Sequence, residues 1–213
     1  MTRPVLVTGF EPFGGDAVNP SAEVARTLHG RAIGDLPVVG LVLPCVFGVA
    51  LDTLHAALDA HRPRLVLALG LAGSRSGFSL ERVAVNIDDA RIPDNAGAQP
   101  IDQPVVPGAA AARFTTLPVK AMIAALRRAG HEAELSNSAG TFVCNHVFYG
   151  LQHALRKRRG VRSGFMHLPR LPAQVGPGEP SLSLASMVDG VSIALATALA
   201  HAGDLRASEG ALD

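Results

Sequence analysis

Short β-branched runs alternate with longer stretches of helical periodicity along most of the chain. Val5–Phe10 (VLVTGF) predicts a buried strand that ends in a glycine turn. Asn19 then reads as an N-cap, with Pro20 at the first helical position and Val24, Ala25 and Leu28 on one face. Pro37–Pro44 predicts a second strand. Val49–His61 predicts a helix with Leu51, Leu54, Ala57 and Leu58 on one side. Arg64–Gly70 is apolar on both faces, as central parallel strands are. Downstream the pattern predicts a helix over Pro118–Gly130, a strand over His131–Ser136, a helix over Asn145–Arg159, a strand over Ser163–Leu168 and an Ala-rich helix over Ser186–Ala202. This alternation predicts an α/β fold with a mostly parallel sheet and helices on both faces.

No internal repeat is visible, and no Pro-, Gly- or Ser-rich linker divides the chain, so residues 1–213 read as one domain. Residues from about 203 to 213 are expected to fray. Two long loops, Leu71–Pro107 and Arg170–Ser183, stand out. Loops of that length in a compact domain are usually functional or mobile.

Composition narrows the function classes. Apolar residues make up 48% of the chain, aromatics only 4%, and there is no Trp, which suits an α/β protein built on Val, Leu and Ala. A net charge of +1 gives no overall attraction to nucleic acid or an anionic membrane. The one basic cluster, Arg156–Arg159, reads as a solvated helix end whose cations complement the dipole. No apolar run reaches the roughly 18 residues of a membrane span. The stretch after Met1–Pro4 is too short for a secretory signal. Two cysteines make no disulfide framework, so a reducing cytoplasm is expected.

One of those cysteines, Cys144, lies in TFVCNHVFY, after a glycine turn and near the start of a predicted helix. Two readings are open. Among Phe142, Val143, Val147 and Phe148 it would make an ordinary packed thiol. At a helix start it would also be an activated nucleophile, because unpaired N–H groups stabilise a thiolate and a developing oxyanion. The second reading requires a base. His146 follows too closely, since that spacing on a helix turns the two side chains apart. Cys144 and His146 have no second cluster with which to bind zinc. His167 ends the apolar strand GFMHLP, and ligands of open α/β sheets bind beyond strand carboxyl ends. A carboxylate to orient the imidazole has four candidates, Glu81, Asp88, Asp89 and Asp94. GFEPFGG (Gly9–Gly15) lacks the residues of a phosphate loop; its Phe10 and Phe13 suit a flat, uncharged ligand better. Cys45, between Pro44 and Val46, reads as a packed hydrophobe.

Taken together, GFEPFGG with the following NPS, ERVAVNIDDARIPDN, SNSAGTFVCNHVFYGL, GFMHLP and PSLSL resemble the pyroglutamyl-peptidase I family of cysteine peptidases, from Gly9 to about Leu184 and in the family's order. The resemblance implies an α/β/α sandwich, commonly assembled as a homotetramer. It implies removal of N-terminal pyroglutamate from peptides without metal or organic cofactor. On its motifs Cys144 matches the nucleophile, His167 the base and acid, and Glu81 the residue that orients the imidazole. Arg91 matches an arginine assigned to electrostatic support of the thiolate or oxyanion. Phe10 and Phe13 match phenylalanines flanking the substrate ring, and Phe142 and Val143 are placed with them as substrate-binding residues. Ser74 departs from the pattern, standing where the family usually has a second glycine before the arginine. Two rival readings are another thiol-dependent hydrolase of a small acyl or amide group, and a noncatalytic redox-responsive binding protein.

Overall fold

The computed structural model describes residues 2–210. In chain order its elements are β1 (Val5–Phe10), α1 (Pro20–Leu28), β2 (Ala32–Ile33), β3 (Leu36–Leu43), α2 (Val49–His61), β4 (Leu65–Leu71), β5 (Phe78–Glu81), β6 (Val83–Val85) and β7 (Ala112–Phe114). Then come α3 (Val119–Arg128), β8 (Ala133–Ser136), α4 (Val143–Leu155), β9 (Arg162–Leu168), a 3₁₀ turn at Pro172–Gln174, and α5 (Leu184–Ala200). Asn19 caps α1 as its sequence predicts: its side chain accepts from Ser21 N–H.

Seven strands form one sheet in the order β2-β3-β1-β4-β9-β5-β8. β3, β1, β4 and β9 are parallel, whereas β5 runs antiparallel to β9 and β2 antiparallel to β3. The fold is therefore a single-domain, mixed but mostly parallel α/β sheet with helices on both sides. β4 shows how the period of two serves both layers. Leu65, Leu67 and Leu69 enter a core with Val24, Met122, Ile123, Met187 and Val191 from α1, α3 and α5. Val66 and Ala68 enter the other core with Leu54, Leu58, Val147 and Phe148 from α2 and α4. Burial on this scale, about 1.5–3 kcal/mol for each large aliphatic side chain, outweighs local propensity as the source of helix stability.

Two expectations change. The expected loop Leu71–Pro107 contains β5 and β6, and β6 pairs with β7 in a separate two-stranded ribbon. α4 begins at Val143 rather than Asn145 and ends at Leu155, short of the basic cluster. Of the segment expected to fray, residues 211–213 lie outside the described residues. Before them, Asp204 accepts hydrogen bonds from the N–H groups of Lys120 (3.2 Å) and Ala121 (3.0 Å) in the first turn of α3, where Pro118 offers no capping side chain. Arg127 pairs with Glu209 at 2.9 Å.

Candidate active site

Because β1, β3, β4 and β9 are parallel, they end along one edge of the sheet, at Phe10, Leu43, Leu71 and Leu168. His167 reaches that edge one residue before β9 ends. Its neighbours on β9, Met166 and Leu168, face the α1, α3 and α5 core, so alternation sends His167 with Phe165 toward α4. Across from His167 stand Gly70 of β4 and Ser79 of β5. Glu81 lies opposite Phe165 on the same face, diagonal to His167. From there Glu81 Oε1 accepts from His167 Nδ1 at 2.8 Å. Glu81 is fully buried and His167 is 5% exposed. An ionised carboxylate has no proton to give, so the imidazole proton resides on Nδ1 and Nε2 keeps its lone pair. Arg75 comes within 3.8 Å of Glu81 Oε1 and is itself held by Glu134 at 2.7 Å and by Ser136 Oγ at 3.1 Å.

Cys144 is the second residue of α4 and is half-buried. Phe142, the N-cap, has an extended backbone and no capping side chain. Among the described residues the N–H groups of Val143 and Cys144 make no hydrogen bond, and they are suited to an anion. Gly70 explains where the sulfur sits. A Cβ on Gly70 would lie 2.9 Å from Cys144 Sγ and 2.8 Å from the Phe165 ring. The missing side chain lets the sulfur rest on the strand at the position paired with His167. Burial raises the Cys144 thiol well above the ordinary cysteine range, with Cys45 and Glu81 adding to the shift. A thiol shifted in that direction would need a base to take its proton before it could act as a nucleophile.

The start of α4 is laced to the last residue of β6 and to the segment after it. Asn145 donates to the carbonyls of Val85 (2.9 Å) and Ile87 (3.0 Å) and accepts from Val85 N–H at 3.0 Å. Thr141 Oγ donates to Asp89 C=O at 2.7 Å. His146 points away from Cys144, as its spacing predicts, and pairs with Asp88 at 2.8 Å. Of the four candidate carboxylates, the geometry gives Glu81 to His167 and Asp88 to His146. Asp94 accepts from the backbone of Phe47, Ala96 and Ala98. Asp89 is exposed.

The residues expected to bind substrate separate into two pairs. Phe13 and Phe142 are partly buried, with ring centroids 5.8 Å apart. Phe10 is 1% exposed and packs 6.4 Å from Phe165, and Val143 has its side chain wholly in the core, so what Val143 presents outward is its N–H. Arg91 is exposed and makes no hydrogen bond or ion pair among the described residues. Phe47, which the sequence did not single out, stands edge-on to Phe142 at 5.4 Å. Only its place in the CVFG stretch after β3, at the sheet edge, pointed to it. Among the described residues no group of three or more His, Cys, Asp or Glu side chains is placed to hold a metal ion. No helix among them is long and apolar enough to cross a membrane.

Comparison with known proteins shows the family. Residues 3–201 match the family model for pyroglutamyl peptidase. The pyrrolidone-carboxylate peptidase of Klebsiella pneumoniae (strain 342) is 54% identical over 97% of this chain and 98% of its own. That of Cupriavidus necator is 53% identical over 99% of both. The crystal structure of pyroglutamyl peptidase I from Bacillus amyloliquefaciens superposes with a TM-score of 0.94 at 41% identity, covering 98% of this chain and 100% of the other. A mutant pyrrolidone carboxyl peptidase from Pyrococcus furiosus gives 0.90 at 44% identity, covering 92% and 98%. With sheet, helices and motifs matched nearly end to end, the chain belongs to the pyroglutamyl peptidase family, as an enzyme of the pyroglutamyl-peptidase I kind.

Proposed function

We propose that this enzyme is a cysteine exopeptidase that removes N-terminal pyroglutamate from peptides through Cys144, His167 and Glu81. The observation that carries the reading is the 2.8 Å bond from His167 Nδ1 to Glu81. It leaves Nε2 bare on the strand face where the sulfur of Cys144 rests on Gly70. His167 Nε2 takes the thiol proton as sulfur attacks the pyroglutamyl carbonyl carbon. The oxyanion forms within reach of the Val143 and Cys144 N–H groups. His167 returns the proton to the leaving amine, the C–N bond breaks, and a thioester remains. Water then attacks the thioester, giving its proton to His167, and the thiol leaves with that proton. Glu81 holds the tautomer and balances the imidazolium at each transfer. Phe13 and Phe142 flank the lactam ring, whose methylenes contribute about 0.8 kcal/mol each when buried.

The same reading places the enzyme in a reducing cytoplasm, which keeps Cys144 a thiol. It also places it in a homotetramer, for which the exposed side chains Ile101 and Phe114 offer apolar surface to cover. The deciding experiment is release of 4-nitroaniline from pyroglutamyl 4-nitroanilide, before and after treatment with iodoacetamide. Release that alkylation abolishes is the expected result. No release, alongside thiol-dependent cleavage of another small amide, would replace this reading with the broader hydrolase.

A further inference from the structure

Gly48 closes an unusual turn beside the site. Its φ is 73° and its ψ is −61°, and Val49 N–H donates to Phe47 C=O at 2.9 Å. This is a γ-turn of positive φ, a rare and strained form. It persists because its neighbours hold it. Asp94 Oδ2 takes the N–H of Phe47 at 2.8 Å, and His146 Nε2 takes the N–H of Gly48 at 3.0 Å. An N–H donor at Nε2 requires that nitrogen to be unprotonated. The proton is therefore on Nδ1, where it is donated to Asp88 Oδ2 at 2.8 Å. Both side chains are buried, His146 to 5% and Asp88 to 6% exposure. The turn aims the Phe47 ring, which stands edge-on to His146 at 5.3 Å and to Phe142 at 5.4 Å. Phe142 in turn meets Phe13.

We infer that His146, fixed in one tautomer by Asp88, is a positioning residue that sets the aromatic wall of the acyl pocket and hence substrate affinity. It acts through Gly48 and Phe47 and touches neither the sulfur nor the scissile bond. The inference rests on the proposed pyroglutamyl-peptidase reading. The glutamine amide oxygen can reach the position of Nε2 and accept the same N–H; leucine removes the acceptor, and with it the bond that holds the turn. Asp88→Asn lets the imidazole adopt the other tautomer, which turns an N–H against Gly48.

The test measures kcat and KM on pyroglutamyl 4-nitroanilide, together with the rate of Cys144 alkylation by iodoacetamide, for the wild type, His146→Leu, His146→Gln and Asp88→Asn. His146→Leu should raise KM between about twofold and tenfold, the factor expected for the loss of one intramolecular hydrogen bond. Its alkylation rate should match the wild type, and His146→Gln should recover most of the lost affinity. Asp88→Asn should raise KM in the same direction, and it decides the matter if His146→Leu does not fold. A folded His146→Leu, or failing that Asp88→Asn, with wild-type KM overturns the inference. So does a loss confined to kcat and alkylation. A wild type silent on the pyroglutamyl amide overturns the functional reading and this inference together; an active wild type with unaltered variant KM overturns the inference alone.

Discussion

Two histidine–carboxylate pairs are buried in this molecule, and their first bonds are alike. His167 meets Glu81 and His146 meets Asp88, each through Nδ1 at 2.8 Å. What separates them is the far nitrogen. In His146 the N–H of Gly48 occupies it, so the ring is committed to structure. In His167 it has no hydrogen-bond partner among the described residues, and it shares the strand face of Cys144. On the proposed mechanism, burial and a carboxylate are thus insufficient to make a base; the second nitrogen must also be free. Nearness in sequence misleads here, because the histidine two residues from the cysteine is the one already engaged.

The largest effect that would break this contrast is at the sulfur. Cys144→Ser should fold normally and lose at least about a thousandfold in kcat, since a hydroxyl is a far weaker nucleophile for the same base. A variant that kept substantial turnover would remove the reason for assigning His167 a chemical role. Next in size, Glu81→Gln should lower kcat by roughly 10²–10⁴ with KM little changed, because the amide permits the wrong tautomer and balances the imidazolium poorly. Equal kcat in wild type and Glu81→Gln would make the two pairs alike after all. Gly70→Ala comes third. A methyl group would intrude on Sγ and on Phe165, and a displacement near 1 Å costs about a hundredfold in rate. Steady-state kinetics combined with a thermal melt separates that loss from unfolding.

A smaller effect concerns Cys45, whose thiol is pushed up from an ordinary 9.0 to about 12 by burial and by the charges of Glu11 and Asp94. Since the folded value is the higher one, the neutral thiol's contribution is complete below pH 9 and is lost as pH rises toward 12. Melting temperatures across that range should therefore fall more steeply for the wild type than for Cys45→Ala. Parallel curves would show that the Cys45 environment is as wet in the folded chain as in the unfolded one.

The longer elements were legible in the sequence because six or more residues suffice to reveal a period. β1, α1, β3, α2, β4 and β9 lie within a residue or two of where the hydrophobic pattern put them. β2, β5 and β7, of two to four residues each, were not legible as strands, whereas β6 falls on the alternating run Val83, Val85 and Ile87 beside Glu81, and β8, also of four residues, was legible directly after a glycine-ended helix. The start of α4 was misplaced for a chemical reason. Its N-cap is Phe142, and the nearby Thr141 hydroxyl bonds to Asp89 rather than to the helix, so no capping signature exists. Cys144 and His167 were legible as candidates from position. Glu81 stood apart from Asp88, Asp89 and Asp94 only as the neighbour of an alternating apolar run; its bond to His167 comes from the diagonal register of β5 on β9, which the sequence does not show. The tasks of Asn145, His146 and Phe47 depend on contacts with distant segments, which no local pattern records.

The strand order also governs when this enzyme can come into being during synthesis. β9 lies between β4 and β5, yet it is made after both and after β8. Until residues 162–168 leave the ribosome, the sheet exists as two unjoined halves, β2-β3-β1-β4 and β5-β8, with Glu81 on one and Gly70 on the other. Insertion of a central strand between partners far back in the chain carries the loop-closure entropy of distant pairings, which makes it a late and slow step. The step that brings His167 to Glu81 is also the step that closes the sheet. On the proposed mechanism, hydrolytic competence and global folding therefore arrive together, and a nascent chain ending before β9 would have no proteolytic power.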